Sequence, residues 1–263
     1  MTGLRLLAAS LIFFLGLDLA VAQSLSEGGA ARVKKIVDGD TVLLEGVIEG
    51  SNEVRLVGIQ APKLPLGRPG FKKWPLADDA RDRLESLVLG KTIKLKFGGR
   101  RMDRHGRLLA HLYSENGRWV QGEMISAGMA RVYSFPDNRA AVDRMLSLEK
   151  VARDQKRGIW NHSYYRVHGV DDLGDLIGTF QLVEGVVFDV ATVRGMTYLN
   201  FSDDWRRDFT ISVNKRATAL FTKTGLDLSS LRGQKVRIRG WLKKRNGPMI
   251  EATHPEQLEI LAQ

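Results

Sequence analysis

Val37-Asp38-Gly39-Asp40-Thr41-Val42 sets two carboxylates on either side of a glycine, between two runs of strand-forming residues. Aspartate side chains bond backbone two residues on, and glycine accepts tight geometry. Asp38-Gly39-Asp40 therefore reads as a turn joining Arg32–Val37 to Thr41–Leu44. Glu53–Ile59 supplies a third strand. Residues 62–75 hold four of the seven prolines, Pro62, Pro65, Pro69 and Pro75, and read as an extended loop. Leu76–Leu89 follows as an amphipathic helix, with Leu84, Leu87 and Val88 on one face and Gly90 as its stop. Lys91–Phe97 alternates lysines with Ile93, Leu95 and Phe97, the pattern of a half-buried strand. After the basic turn Arg100–Arg107 come a strand, Leu108–Tyr113, a hairpin turn at Asn116-Gly117, and a short helix, Val120–Ala127. A short strand, Met129–Tyr133, and a long helix, Arg139–Asp154, with Val142, Leu146 and Val151 inward, complete this half, which closes on Gly158-Ile159-Trp160.

Residues 169–178, with Asp171, Asp172 and Asp175, read as an acidic linker. Thr179–Val190, Thr197–Phe201 and Phe209–Val213 then read as strands, Lys215–Thr224 as a helix, and Lys235–Leu242 and Leu258–Leu261 as later strands. Five strands with a helix after the third suggest an OB-type barrel. The expected architecture is mainly β with helices (α+β): one barrel domain over 32–168 and a second over 179–263. Ahead of them, residues 23–31 read as a flexible lead-in.

Arg5, the apolar run Leu6–Leu17 and Ala20-Val21-Ala22 read as a cleavable export signal over residues 1–22. The run is short of the roughly 20 residues of a membrane span, and no other segment is apolar enough to cross. A periplasmic or secreted protein is expected. The absence of cysteine excludes disulfides, thiolate zinc sites and thiol nucleophiles. The net charge of +10 is concentrated: residues 23–168 carry 26 Lys and Arg against 17 Asp and Glu, whereas 169–263 carry 13 against 12. A polyanion such as nucleic acid, or anionic envelope material, is the partner that such a charge suits.

Four stretches taken together resemble the staphylococcal nuclease (thermonuclease) family over about residues 32–161. They are Val37–Val42, Arg55-Leu56-Val57-Gly58-Ile59-Gln60-Ala61-Pro62-Lys63, Asp103-Arg104-His105-Gly106-Arg107, and Gly158-Ile159-Trp160. The resemblance implies an OB-type barrel with helices that hydrolyses DNA and RNA phosphodiesters, typically with calcium. In such a site two aspartates and a backbone carbonyl hold a hard cation. A glutamate activates water, and two arginines bind the phosphate and the charge that grows on it. On that resemblance Asp40 is a metal-binding aspartate, Asp38 an outer carboxylate and Ala61 the carbonyl ligand. Arg55 and Arg107 are the phosphate-binding arginines.

Two positions depart from the family. Gln60 stands where it has its second metal-binding aspartate, and Lys63 where it has its glutamate, with Pro62 fixing the register. A divalent cation loses a ligand and gains a repelling ammonium, so calcium binding in the family's manner is expected to fail and no cofactor is expected. Three readings follow: a phosphate pocket of Arg55, Arg107 and Lys63 without hydrolysis; hydrolysis by another route, with Lys63, Glu53, Asp78 or His105 recruited; or reuse of the fold as an interaction module.

Around this site, Arg68, Lys72, Lys73, Lys91, Lys94 and Arg104 are candidate substrate contacts. Lys91, Lys94, Lys96, Arg100 and Arg101 form either a backbone-tracking stripe or a solvated face. Trp74 either stacks a base or packs on the barrel. His105 is a candidate general acid or an exposed turn residue. His111, His162, His168 and His254 have no metal-like spacing. Tyr198, Phe201 and Trp241 are either stacking platforms or core, and the second domain is a candidate surface for a protein partner.

Overall fold

The computed structural model describes residues 24–262; the export-signal reading of residues 1–22 lies outside them. In the first half, alternating burial brings β1 (Ser26–Asp38), β2 (Thr41–Ile48) and β3 (Ser51–Leu56) together as consecutive antiparallel strands. Gly58 then bends the chain at φ +83° into β4 (Gly58–Gln60), and any side chain at Gly58 would strike Met145. The loop and α1 (Ala77–Val88) follow, then β5 (Thr92–Phe97) and β6 (Leu108–Ser114). These strands close in the order β1-β2-β3-β6-β5, with β3 and β6 parallel. α2 (Val120–Ser126), β7 (Arg131–Tyr133) and α3 (Val142–Asp154) pack outside the barrel, and β7 pairs with β4. Val42, Leu56, Leu84, Leu95, Leu112 and Met124 are fully buried in one core.

The lead-in expected over residues 23–31 is mostly strand. β1 begins at Ser26 and pairs with β5 from Ser26 opposite Phe97 to Arg32 opposite Thr92. Gly28 lies so close to the Phe97 ring that a Cβ would sit 2.3 Å from it. The ring covers the glycine, and ladder hydrogen bonds outweigh the weak strand propensity of Gly and Ser. Val151 of α3 is 48% exposed, and the helix turns Met145, Glu149 and Ala152 inward instead.

The second half runs β8 (His168–Gly169), β9 (Phe180–Val186), β10 (Asp189–Val193), β11 (Met196–Asn200), β12 (Thr210–Val213), α4 (Lys215–Lys223), β13 (Lys235–Arg245), β14 (Gly247–Ala252) and β15 (Leu258–Ile260). The expected strand Thr179–Val190 is thus two strands, and β14 was not expected. The sheet order is β10-β11-β12-β14-β13-β9-β8, with β15 also on β13, and the chain passes from β9 directly to β10 through Val187-Phe188. β12 and β14 are parallel, as β3 and β6 are. Both halves therefore follow one strand order with a helix ahead of the fourth barrel strand. The acidic segment 169–178 is not a free linker. β8 pairs with β9, Leu173 is buried in the second core, and Leu176 and Ile177 pack against it.

The two barrels meet through polar contacts around β7. Arg239 of β13 reaches Glu149 of α3 at 2.7 Å and Glu259 of β15 at 2.6 Å. Glu149 also accepts the Val132 N–H at 2.7 Å. Arg139 is bidentate to Glu256, and Ser134 shares a 2.7 Å hydrogen bond with His254. No helix of the described residues is long and apolar enough to cross a membrane.

Candidate functional site

The β1–β2 turn needs Gly39, because a Cβ there would lie 2.7 Å from Ala61 and 2.8 Å from Ala80 of α1. That close approach drives Asp40 inside. Its carboxylate accepts the Ala61 N–H at 2.8 Å and the Thr41 hydroxyl at 3.2 Å, and meets Arg55 at 3.0 Å. The remaining partner is Lys63. Its ammonium lies 2.6 and 2.7 Å from the two Asp40 oxygens and 3.0 Å from Asp38. Burial pushes the Asp40 carboxyl up, but Arg55 and Lys63 beside it hold it well below the usual carboxylate range. Asp38 goes the other way: burial and the Asp40 charge raise it despite Lys63.

Gln60 does not face these carboxylates. It sits directly across the β4–β7 ladder from Arg131, whose guanidinium donates to its side-chain carbonyl at 2.9 and 2.7 Å. Arg131 is buried, with its pKa pushed down to about 10 by desolvation, and lies 4.7 Å above the Phe180 ring of the second barrel. Sequence reasoning missed this arginine; its place opposite Gln60 follows from the short β4–β7 pairing, which spacing does not reveal.

Arg55 and Arg107 share a cleft of about 500 Å³ with Arg100, Arg104, His105 and Trp241. The Arg55 guanidinium is fixed by the carbonyls of Asp40, Leu56 and Ile59. Arg107 is held by Asp103, 2.8 Å from Nε and 2.7 Å from Nη2, and the same carboxylate caps the turn through the His105 and Arg107 N–H groups. Against the upward push of partial burial, these bonds hold the Asp103 carboxyl low, which makes it a weak base. His105 accepts from Arg104 Nε at 3.1 Å. Tyr133, Phe135 and Asn138 also line the cleft, and Phe135 stands 45% exposed just beyond β7.

Lys63 does not line the cleft with the two arginines, and neither does most of the expected basic surface. Arg68 is folded onto the Pro65 and Leu64 carbonyls and the Phe71 ring. Lys73 pairs with Asp78, Lys91 caps the carbonyls of Ser86 and Leu87 at the end of α1, and Lys96 pairs with Glu27. Lys72 and Lys94 are exposed away from the cleft. Arg101 pairs with Glu49. The stripe is therefore broken, and only Arg100 and Arg104 of that region reach the cleft. Trp74 packs between Phe71 and Tyr164. Phe201 is core, packed on Phe209, while Trp241 stands in the cleft. Glu53 and Asp78 lie outside it.

The family model described as staphylococcal nuclease homologue matches residues 53–162. An uncharacterized endonuclease of Escherichia coli O157:H7 is 35% identical over 133 residues, which is 49% of this chain and 76% of that protein. Endonuclease YncB of Bacillus subtilis is 32% identical over 134 residues, 50% of this chain and 61% of that protein. Staphylococcal-like nuclease CAN1 of Arabidopsis thaliana is 32% identical over 119 residues, 45% of this chain and 32% of that protein. With the barrel, the Asp-Gly-Asp turn and the arginine cleft in place, the chain belongs to the staphylococcal nuclease homologues.

Proposed function

We propose that this nuclease homologue is exported and engages nucleic-acid phosphodiesters through the Arg107 end of the cleft, with calcium-dependent hydrolysis lost. One observation carries the reading: the Lys63 ammonium lies within 3.0 Å of both Asp38 and Asp40, where a hard cation would need their oxygens. Gln60, the other replaced position, is turned to Arg131. The residues present do not fit a calcium ion, because an ammonium occupies the carboxylate oxygens that it would need. Asp103 is a poor general base, being fully engaged and held ionised well below neutral pH, which leaves His105 in the same cleft as the candidate base that a cleavage assay tests. Arg107, Arg104 and Arg100 remain to attract a phosphate, whose oxygens compete with Asp103 and Asp137 for them.

The test uses labelled single-stranded DNA and RNA, with calcium, with other divalent ions and with chelator, beside an Arg107→Ala control. Intact substrate whose binding weakens in Arg107→Ala is the expected result. Cleavage that vanishes with Arg107 would show a working enzyme with a different base. Neither cleavage nor binding would favour the interaction-module alternative.

A further inference from the structure

One wall of the cleft comes from the second barrel. Trp241 lies on β13, opposite Phe180 of β9, between the buried Gly240 and Leu242, and it faces outward at 45% exposure. A surface tryptophan is ordinarily loose. This one is held: its indole N–H donates to the Tyr133 hydroxyl at 3.0 Å, and its ring meets Phe180 edge-on at 6.3 Å. Tyr133 in turn packs edge-to-face on Phe135 at 4.8 Å. The Arg239 network clamps the strand that carries Trp241 to the first barrel. A flat apolar face is thus fixed at the rim of a cleft that also holds Arg104 and Arg107.

Cations that attract phosphate beside a fixed aromatic face are the combination by which proteins hold single-stranded nucleic acid. A bare phosphate would leave the aromatic wall without contact, whereas a cleft of about 500 Å³ is of the size that takes a small ligand such as a nucleotide. We infer that Trp241, supplied by the second barrel, is a nucleobase-stacking platform for the nucleotide whose phosphate lies at the Arg104–Arg107 end. This rests on the phosphate-binding reading above. Because the indole N–H is already engaged by Tyr133, the ring is read by its face, and the site accepts any base.

The experiment measures anisotropy of two short labelled single strands in chelator, one of thymidine and one abasic, against the protein and its Trp241→Ala, Trp241→Phe and Arg107→Ala variants. Trp241→Ala should weaken the thymidine strand by at least about fivefold and leave the abasic strand within about twofold. Trp241→Phe should keep most of the affinity, and Arg107→Ala should weaken both strands. If Trp241→Ala weakens neither strand, or both equally, while Arg107→Ala weakens both, the stacking platform is refuted and the phosphate site stands. If the wild-type protein binds neither strand, both fall. Melting temperatures of the variants, expected to be unchanged for this exposed residue, separate lost contact from lost fold.

Discussion

Glu149 and Arg239 meet at 2.7 Å where the two barrels join; Asp40 and Lys63 meet at 2.6 Å a few residues from an open cleft. Each pair belongs to a larger cluster of matched charge, and each holds a carboxylate with no exposure at all. They differ in the cation. Arg239 is as buried as its partner, and besides Glu149 it bonds Glu259 and the Val132 carbonyl. The Lys63 side chain keeps 18% exposure, and Asp40 retains Arg55 as a second partner. The first cluster is a clasp shut away from solvent, although the buried Arg239 Nε is left without a partner. In the second, on the reading proposed above, a lysine side chain delivers from within the fold the positive charge that a bound cation would otherwise bring.

Arg239→Ala leaves Glu149 buried without its main partner and should cost about 3–5 kcal/mol in denaturant unfolding, whereas a Glu149→Gln, Arg239→Met double variant should lose clearly less. Equal losses would mean that packing, not charge, holds the barrels together.

Acid should loosen the same junction through His254, and the first barrel through His111, which packs on Trp119. Burial pushes His254, which bridges to Ser134, and His111 down to about 4. Both are neutral in the fold. Their contribution is fully present above the ordinary value of 6.5 and is lost as pH falls from 6.5 towards 4. The limit is on the order of 3 kcal/mol each. Stability measured across that window should fall, and less steeply in His254→Gln. The Asp40 carboxyl, held low in the fold, adds to the fall only at the acid end of this window, where the unfolded chain's carboxyl begins to take up a proton near its ordinary value of 3.8.

Lys63→Met should cost roughly 1–2 kcal/mol, less than Arg239→Ala, because Arg55 still faces Asp40 and solvent reaches the site. A loss as large as that of Arg239→Ala would put the two clusters in one class. Smallest of all, Arg107→Ala should change stability by no more than about 0.5 kcal/mol while weakening nucleic-acid binding, since its ion pair with Asp103 is partly exposed.

Most of the first barrel was legible in the sequence, because alternation, turn residues and the Asp-Gly-Asp spacing all report local chemistry. What escaped depends on contacts distant in the chain. Residues 26–31 look like loop by composition and become strand because β5 lies beside them and Phe97 covers Gly28. β14 hides behind Gly247 and Pro248, which composition marks as a break. At the site, the charge reversal at Lys63 and the loss of a carboxylate at Gln60 were readable, but their consequences were not. Lys63 was expected to stand beside the arginines as a phosphate ligand; two buried carboxylates nearer to hand claim it instead. Arg131, which claims Gln60, is 71 residues away in the chain and appears only once β4 pairs with β7.

Calorimetric titration of calcium into the wild-type protein and into a Gln60→Asp, Lys63→Glu variant, with melting temperatures at each endpoint, tests the proposed replacement of a bound cation by Lys63 most directly. The wild type should give no heat and no change in melting, and the variant should take up calcium with a raised melting temperature. Stoichiometric calcium binding by the wild-type protein would contradict that replacement.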